Sequence, residues 1–348
     1  MALQVNWVER TERGNGLFAI ESISLLYNAI TTILILILYT KLDHPTLMLY
    51  ERLGIASLTI ALIILYLAVP CKLTAFPRIA TQLGLLAYWY PDTYEFNRLF
   101  PNMDHLFAQA EQLLFGCQPA VEFSQHFSSL WISEAFHMGY FFYYPMIFIV
   151  VMYYFLCRFE QFEKASFLFA ASFFIYYIIY ILIPVAGPQF YFPAIGMDQV
   201  LANHFPAIGD YFYANNSLLP GPGNEQGFFY QLVEASQQVG ERPTAAFPSS
   251  HVGVSTIAMY LAWQGSKKLT FLLLPFYLLL CGATVYIQAH YLIDALAGFG
   301  SAIFVLWLSS YLYQKRAVFS ILHLMPAVQS NHIKKVFSYI LIIISVKK

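Results

Sequence analysis

The chain has 348 residues, of which 11% are charged and 59% hydrophobic. A soluble domain carries about 25% charged residues, so 18 Lys+Arg and 19 Asp+Glu are too few to cover a water-soluble enzyme of this length. The net charge of -1 leaves no basic excess to neutralise a phosphate backbone and excludes nucleic acid as a partner.

What remains is an all-α polytopic membrane protein, its bilayer spans set by uncharged runs long enough to cross a hydrocarbon core about 30 Å thick. In chain order these are Ile23–Tyr39, Leu53–Val69, Gly139–Leu156, Ser166–Ile183, Val252–Gln264, Leu269–Ala289 and Tyr291–Tyr313. The fifth is short unless its helix begins nearer Ser249, and the last contains Asp294, a costly residue at a membrane edge and therefore a functional candidate. The first run lacks a small-residue cleavage site and reads as a retained helix. Val336–Val346 is too short to cross unaided and reads as a surface segment. The chain thus divides into an amino-terminal part, 1–138, with membrane helices and an extracytoplasmic or interfacial segment, a membrane domain, 139–313, which holds the candidate chemistry taken up below, and a cytoplasmic or surface tail, 314–348.

Threading the spans puts Lys41, Arg52, Arg158, Lys164, Lys267, Lys268, Lys315 and Arg316 on one face in short loops. By the positive-inside rule that face is cytoplasmic, and the long segments around 71–138 and 184–250 are extracytoplasmic, facing a periplasm or an organelle lumen. Residues 91–137 mix aromatics, acids and amphipathic stretches, which fits helices lying in the interface. Residues 184–250 are rich in Gly, Pro and Asn, and loops of that length usually carry function. Asn215-Asn216-Ser217 is a glycosylation sequon on the same face. Cys71, Cys117, Cys157 and Cys281 have no paired spacing and read as small buried hydrophobes, not as a disulfide or metal set.

Three polar clusters fall at that outer face: Arg242-Pro243, Pro248-Ser249-Ser250-His251, and His290-Tyr291-Leu292-Ile293-Asp294. The span that starts near His251 runs inward and the next returns to His290, so a helical hairpin brings the two histidines to one level. His290 and Asp294 are four apart and share a helix face. A carboxylate that accepts a hydrogen bond from one imidazole nitrogen leaves the other free to attack, which describes a nucleophile. Ser249 or Ser250 can cap a helix whose amide end binds an anion beside His251, a candidate general acid, and Arg242 adds a fork of donors for phosphate. The assembly reads as phosphoryl transfer with no obligatory metal and no cofactor. A zinc site of two histidines and an aspartate is the weaker reading, because the arginine and serines fit an anion better than a cation. A serine triad lacks the Gly-x-Ser-x-Gly turn. The other seven histidines read as hydrogen-bond partners between helices.

At these residues the sequence resembles the type 2 phosphatidic acid phosphatase superfamily, whose pattern is Lys-x6-Arg-Pro, Pro-Ser-Gly-His and Ser-Arg-x5-His-x3-Asp, over roughly residues 166–313. The resemblance implies a six-helix core in which His290 forms a phosphohistidine, Asp294 orients it and His251 protonates the leaving group. The family lysine would fall at Ala235, and its Ser-Arg pair falls at Ala283 and Thr284, so two of three clamping cations are missing; Ser250 stands where the family has glycine. A weaker clamp suits a phosphodiester better than a doubly charged phosphomonoester. The run from Ala283 to Asp294 and the Pro184-Val185-Ala186-Gly187-Pro188 segment are similar to the inositol phosphorylceramide synthase branch. The expected partners are a lipid phosphate or phospholipid substrate, a ceramide or diacylglycerol-type acceptor, and the bilayer. The expected reaction is hydrolysis of a lipid phosphate or transfer of its headgroup. A transporter or channel with a histidine proton relay is the reading from another class, although transporters place such residues near the midplane.

Overall fold

A computed structural model describes residues 16–315, and every regular element among them is helical. The segment 336–346 and most of the tail lie outside the described residues. The helices are α1 (Ala19–Ile37), α2 (Pro45–Ala68), α3 (Lys72–Gly84), α4 (Leu86–Asn97), α5 (Asp104–Phe115), α6 (Pro119–His126), α7 (Leu130–Phe141), α8 (Tyr143–Cys157), α9 (Phe159–Leu182), α10 (Pro188–Ile195), α11 (Met197–Leu201), α12 (Tyr211–Ala214), α13 (Phe228–Gly240), α14 (Ser250–Gly265), α15 (Lys267–Tyr286) and α16 (Leu292–Gln314).

Five of them, α1, α2, α9, α15 and α16, are each long and apolar enough to cross a bilayer. The pair α7 and α8 makes a sixth candidate, bent by 44° at its break. Pro145 lies in the first turn of α8 and has no N–H to return to the carbonyl four residues before it, which explains a bend there. The seventh expected span is α14, which begins at Ser250 and has 16 residues. At a rise of about 1.5 Å per residue it is roughly 24 Å long, short of the hydrocarbon thickness. The protein is therefore an all-α integral membrane protein with five to six candidate spans.

The fold contains two compact units. One holds the described residues of Met1–Leu85, Phe155–Ala170 and Ser310–Lys348. Its interior is fastened by a buried ion pair, in which Arg78 Nε donates to Glu21 Oε1 at 2.6 Å. The Arg78 guanidinium also lies over the rings of Phe18 and Tyr66, 3.9 and 4.7 Å from their centroids. Arg52 is buried too, donating to Thr31 Oγ1 at 3.2 Å. Arg52, counted above for sidedness, is thus inside the helix packing with a named partner, as is Arg78.

The second unit, Leu86–Tyr154 with Ala171–Ser309, holds all the candidate chemistry. In it α15 packs against α7, α14 and α6, and α13 packs on α7. Residues 86–138 belong to this unit, with the helices that carry the histidines. The four cysteines are free thiols; Cys71 is buried as expected, but Cys157 is exposed at the end of the strongly apolar α8, where an outward side chain meets no protein.

Candidate active site

The site is assembled at the amino-terminal end of α14 and the junction of α15 with α16. Ser249 caps α14, its Oγ accepting from the Val252 amide at 3.4 Å. The turn before it is clasped by Tyr180 of α9, which donates to the Pro248 carbonyl and accepts from the Ser250 amide, each at 3.0 Å. With Val252 and Gly253 also bonded to Ser249, the only first-turn amide of α14 left to meet an anion is that of His251. A buried tyrosine hydroxyl and the cap take the others. Gly298 on α16 lets this turn sit close: a Cβ there would lie 2.4 Å from the Ser249 carbonyl oxygen, an impossible approach. The Ser249 amide in turn donates to the Asp294 carbonyl at 3.0 Å, tying the second cluster to the third.

His251 and His290 meet directly, with His251 Nδ1 3.2 Å from His290 Nε2. The other nitrogen of His290, Nδ1, lies 2.8 Å from the Ala246 carbonyl oxygen. A carbonyl only accepts, so Nδ1 carries the proton and the Nε2 lone pair faces His251, whose Nδ1–H donates to it. An electrophile would have to displace His251 to reach that lone pair. Tyr140 stacks on the His251 ring at 4.8 Å and Tyr143 tilts against it at 4.5 Å, holding the ring from α7 and α8. Burial pulls the His290 imidazole down to about 4, against the opposing influence of the Ala246 carbonyl and the Glu241 carboxylate. The ring is therefore neutral, as a nitrogen nucleophile requires, at any pH well above that value.

Asp294 is fully buried on the first turn of α16, with Oδ2 3.8 Å from His290 Nδ1. That is ion-pair range and beyond hydrogen-bond range. Its Oδ2 accepts instead from the Tyr291 amide at 2.9 Å, so the carboxylate shapes the turn while a backbone carbonyl takes the ring proton. Arg242 donates to the carbonyl of its neighbour Glu241 at 2.8 Å, and among the described residues no hydrogen bond joins it to either histidine. The structure thus brings Ser249, Ser250, His251, His290 and Asp294 together and leaves Arg242 at the entrance to the α13–α14 connection, beside Glu241. Three of the remaining histidines bond locally and not between helices: His126 and His137 meet carbonyls in their own helices, and His204 meets Gln199. No group of three or more His, Cys, Asp or Glu among the described residues has the arrangement of a metal site.

Three carboxylates near the histidines had no signal in the sequence. Glu241 accepts from the Tyr90 hydroxyl at 2.6 Å, and burial pushes its carboxyl up against the pull of that bond and of the Arg242 charge. Asp104 is fully buried and accepts from two backbone amides and two side chains. Glu111 caps the start of α16, its Oε1 accepting from the Ile293 amide at 3.0 Å. Burial first, and then the Asp294 charge, push Glu111 up to about 7.

Glu111 gives a pH signature. Its folded value lies above the ordinary 4.5, so the folded state holds the proton more tightly, and the stability this contributes is present below about 4.5 and lost as pH rises through about 7. Glu111→Gln keeps an acceptor for the Ile293 amide and removes the charge. Its melting point in detergent micelles is expected to match wild type near pH 5 and exceed it at pH 8, with a gain of up to about 3 kcal/mol. Equal differences at both pH values would show that Glu111 is not the responsible group.

No curated protein matches the sequence, and no solved structure does. The pattern of the PAP2 superfamily, by contrast, matches residues 104–308, a stretch that starts at the buried Asp104 and takes in both histidines. Because that match runs over more than half of the 348 residues, the chain belongs to the PAP2 superfamily.

Proposed function

We propose that this phosphatase-type membrane enzyme transfers the phosphoryl headgroup of a phospholipid to a lipid hydroxyl through a phosphohistidine at His290. The observation that carries the reading is the charge around the nucleophile. The carboxylates of Asp294 and Glu241 and one arginine, Arg242, accompany the histidine pair, and Ala235, Ala283 and Thr284 supply no further cation. A phosphodiester carries one negative charge and needs less neutralisation than a phosphomonoester with nearly two. His290 Nε2 attacks phosphorus, the bond from phosphorus to the diacylglycerol oxygen breaks, and His251, protonated in the presence of the anionic substrate, gives that oxygen its proton. The acceptor hydroxyl then attacks phosphorus, the bond from phosphorus to His290 Nε2 breaks, and the hydroxyl proton passes to His251, which restores the starting charges. The short similarity around 184–188 and 283–294 supports an acceptor of the ceramide type.

Family membership favours a second outcome, hydrolysis of a lipid phosphate, in which water replaces the acceptor. Purified protein in vesicles containing phosphatidate, phosphatidylinositol and ceramide, with products read by mass spectrometry, separates the two. Diacylglycerol together with a headgroup-bearing sphingolipid supports transfer. Free phosphate and diacylglycerol from phosphatidate, with no new sphingolipid, overturns transfer in favour of hydrolysis.

A further inference from the structure

The proton on His290 Nδ1 is held by a carbonyl, and that carbonyl needs its own support. Ala246 lies in the loop before α14, next to Ala245, whose φ is +71°, and its amide donates to the Val185 carbonyl at 3.0 Å. Val185 begins a segment whose next two amides, of Ala186 and Gly187, both point at one carboxylate, Asp104, at 2.7 and 2.8 Å. Gly187 has φ +93°, and a Cβ there would lie 2.6 Å from the Ala289 carbonyl oxygen, so this segment presses against the residue before His290 and only glycine fits. Asp104 also accepts from Asn102 Nδ2 at 2.5 Å and from the Tyr291 hydroxyl at 3.0 Å, and Tyr291 follows His290 in the chain. The hydrogen bonds close a ring: Asp104 to the 185–187 backbone, Val185 to Ala246, Ala246 to the His290 imidazole, and Tyr291 back to Asp104.

We infer that Asp104 is the positioning residue for His290, fixing its Nδ1–H tautomer and its ring orientation through the Val185–Gly187 backbone and the Tyr291 hydroxyl. The case rests on four donors converging on one fully buried carboxylate, more than any neutral side chain of that size can accept. Asp294, by comparison, reaches the His290 ring only at 3.8 Å. The consequence for catalysis rests on the reading of His290 as nucleophile; the consequence for the ring does not.

The test uses full-length protein with 15N-labelled histidine in detergent micelles, the His290 signals identified by their loss in His290→Gln. Wild type is expected to show a single tautomer, with the proton on Nδ1. Asp104→Asn places an NH2 among donors, and is expected to give mixed His290 tautomers. In the vesicle assay with phosphatidylinositol, phosphatidate and ceramide it is expected to lower kcat about 10- to 100-fold, with KM changed less than about threefold. A folded Asp104→Asn protein that keeps the wild-type His290 signal overturns the inference, whatever its activity. If Asp104→Asn does not fold, Tyr291→Phe decides, because it removes one hydroxyl and leaves the other three donors in place. A shift of the His290 signal toward mixed tautomers supports the ring, and an unchanged signal overturns it. Absence of lipid products from wild type would count against the phosphotransfer reading alone, since the tautomer is read without turnover.

Discussion

Replacing His290 with alanine is expected to abolish turnover of phospholipid in vesicles, by about 10⁴-fold or more, without loss of folded protein. The size follows from the role, since no other imidazole lone pair stands where Nε2 does and His251 is already turned toward it at 3.2 Å. The covalent step gives a second readout. Wild-type protein quenched under alkaline conditions during turnover is expected to carry a phosphoryl-headgroup adduct on the peptide containing His290, and the alanine variant none. Retained activity in a folded His290→Ala protein would remove the nucleophile assignment. Activity lost while an adduct persists elsewhere would point to a different attacking group. Because burial keeps the His290 ring neutral down to about 4, the acid limb of the activity profile is expected near that value.

His251→Ala is expected to act differently, and the difference depends on the leaving group. A general acid contributes roughly 10² to 10⁴ where the departing oxygen is a poor leaving group. The diacylglycerol alkoxide is such a group, so phospholipid turnover should fall by that amount. A nitrophenyl phosphodiester leaves without a proton, and its turnover is expected to change less than about tenfold. Equal losses with both substrates would show that His251 acts on binding or on the placement of His290 and not as an acid. Tyr140 and Tyr143 both pack against the His251 ring, 4.8 and 4.5 Å between ring centroids.

The order of the helices and the pair of histidines were legible because both leave local traces. A span needs an unbroken apolar run, and α1, α2, α9, α15 and α16 each have one. The ends of α14 and α16 announce themselves through a capping serine and an acidic first turn, which are short-range signals. Where the reading counted seven spans, it counted α14 by its apolar run; its 16 residues show that apolarity and length are separate requirements.

What surrounds the histidines was not legible. Asp104 meets the Tyr291 hydroxyl across 187 positions, and Tyr180 meets Ser250 across 70. A buried carboxylate or phenol looks the same in sequence whether it faces a backbone amide or an acyl chain, because its partner is chosen by helix packing and no periodicity records it. The same holds for the proton on His290 Nδ1. Spacing of four residues placed Asp294 within reach, but the backbone carbonyl of Ala246 lies closer and Asp294 is occupied by the Tyr291 amide. Sequence alone therefore determined a membrane protein with two histidines and an aspartate at helix ends. Tertiary structure decided which atom holds the ring proton, because hydrogen bonding depends on tenths of an ångström that only the packed helices set.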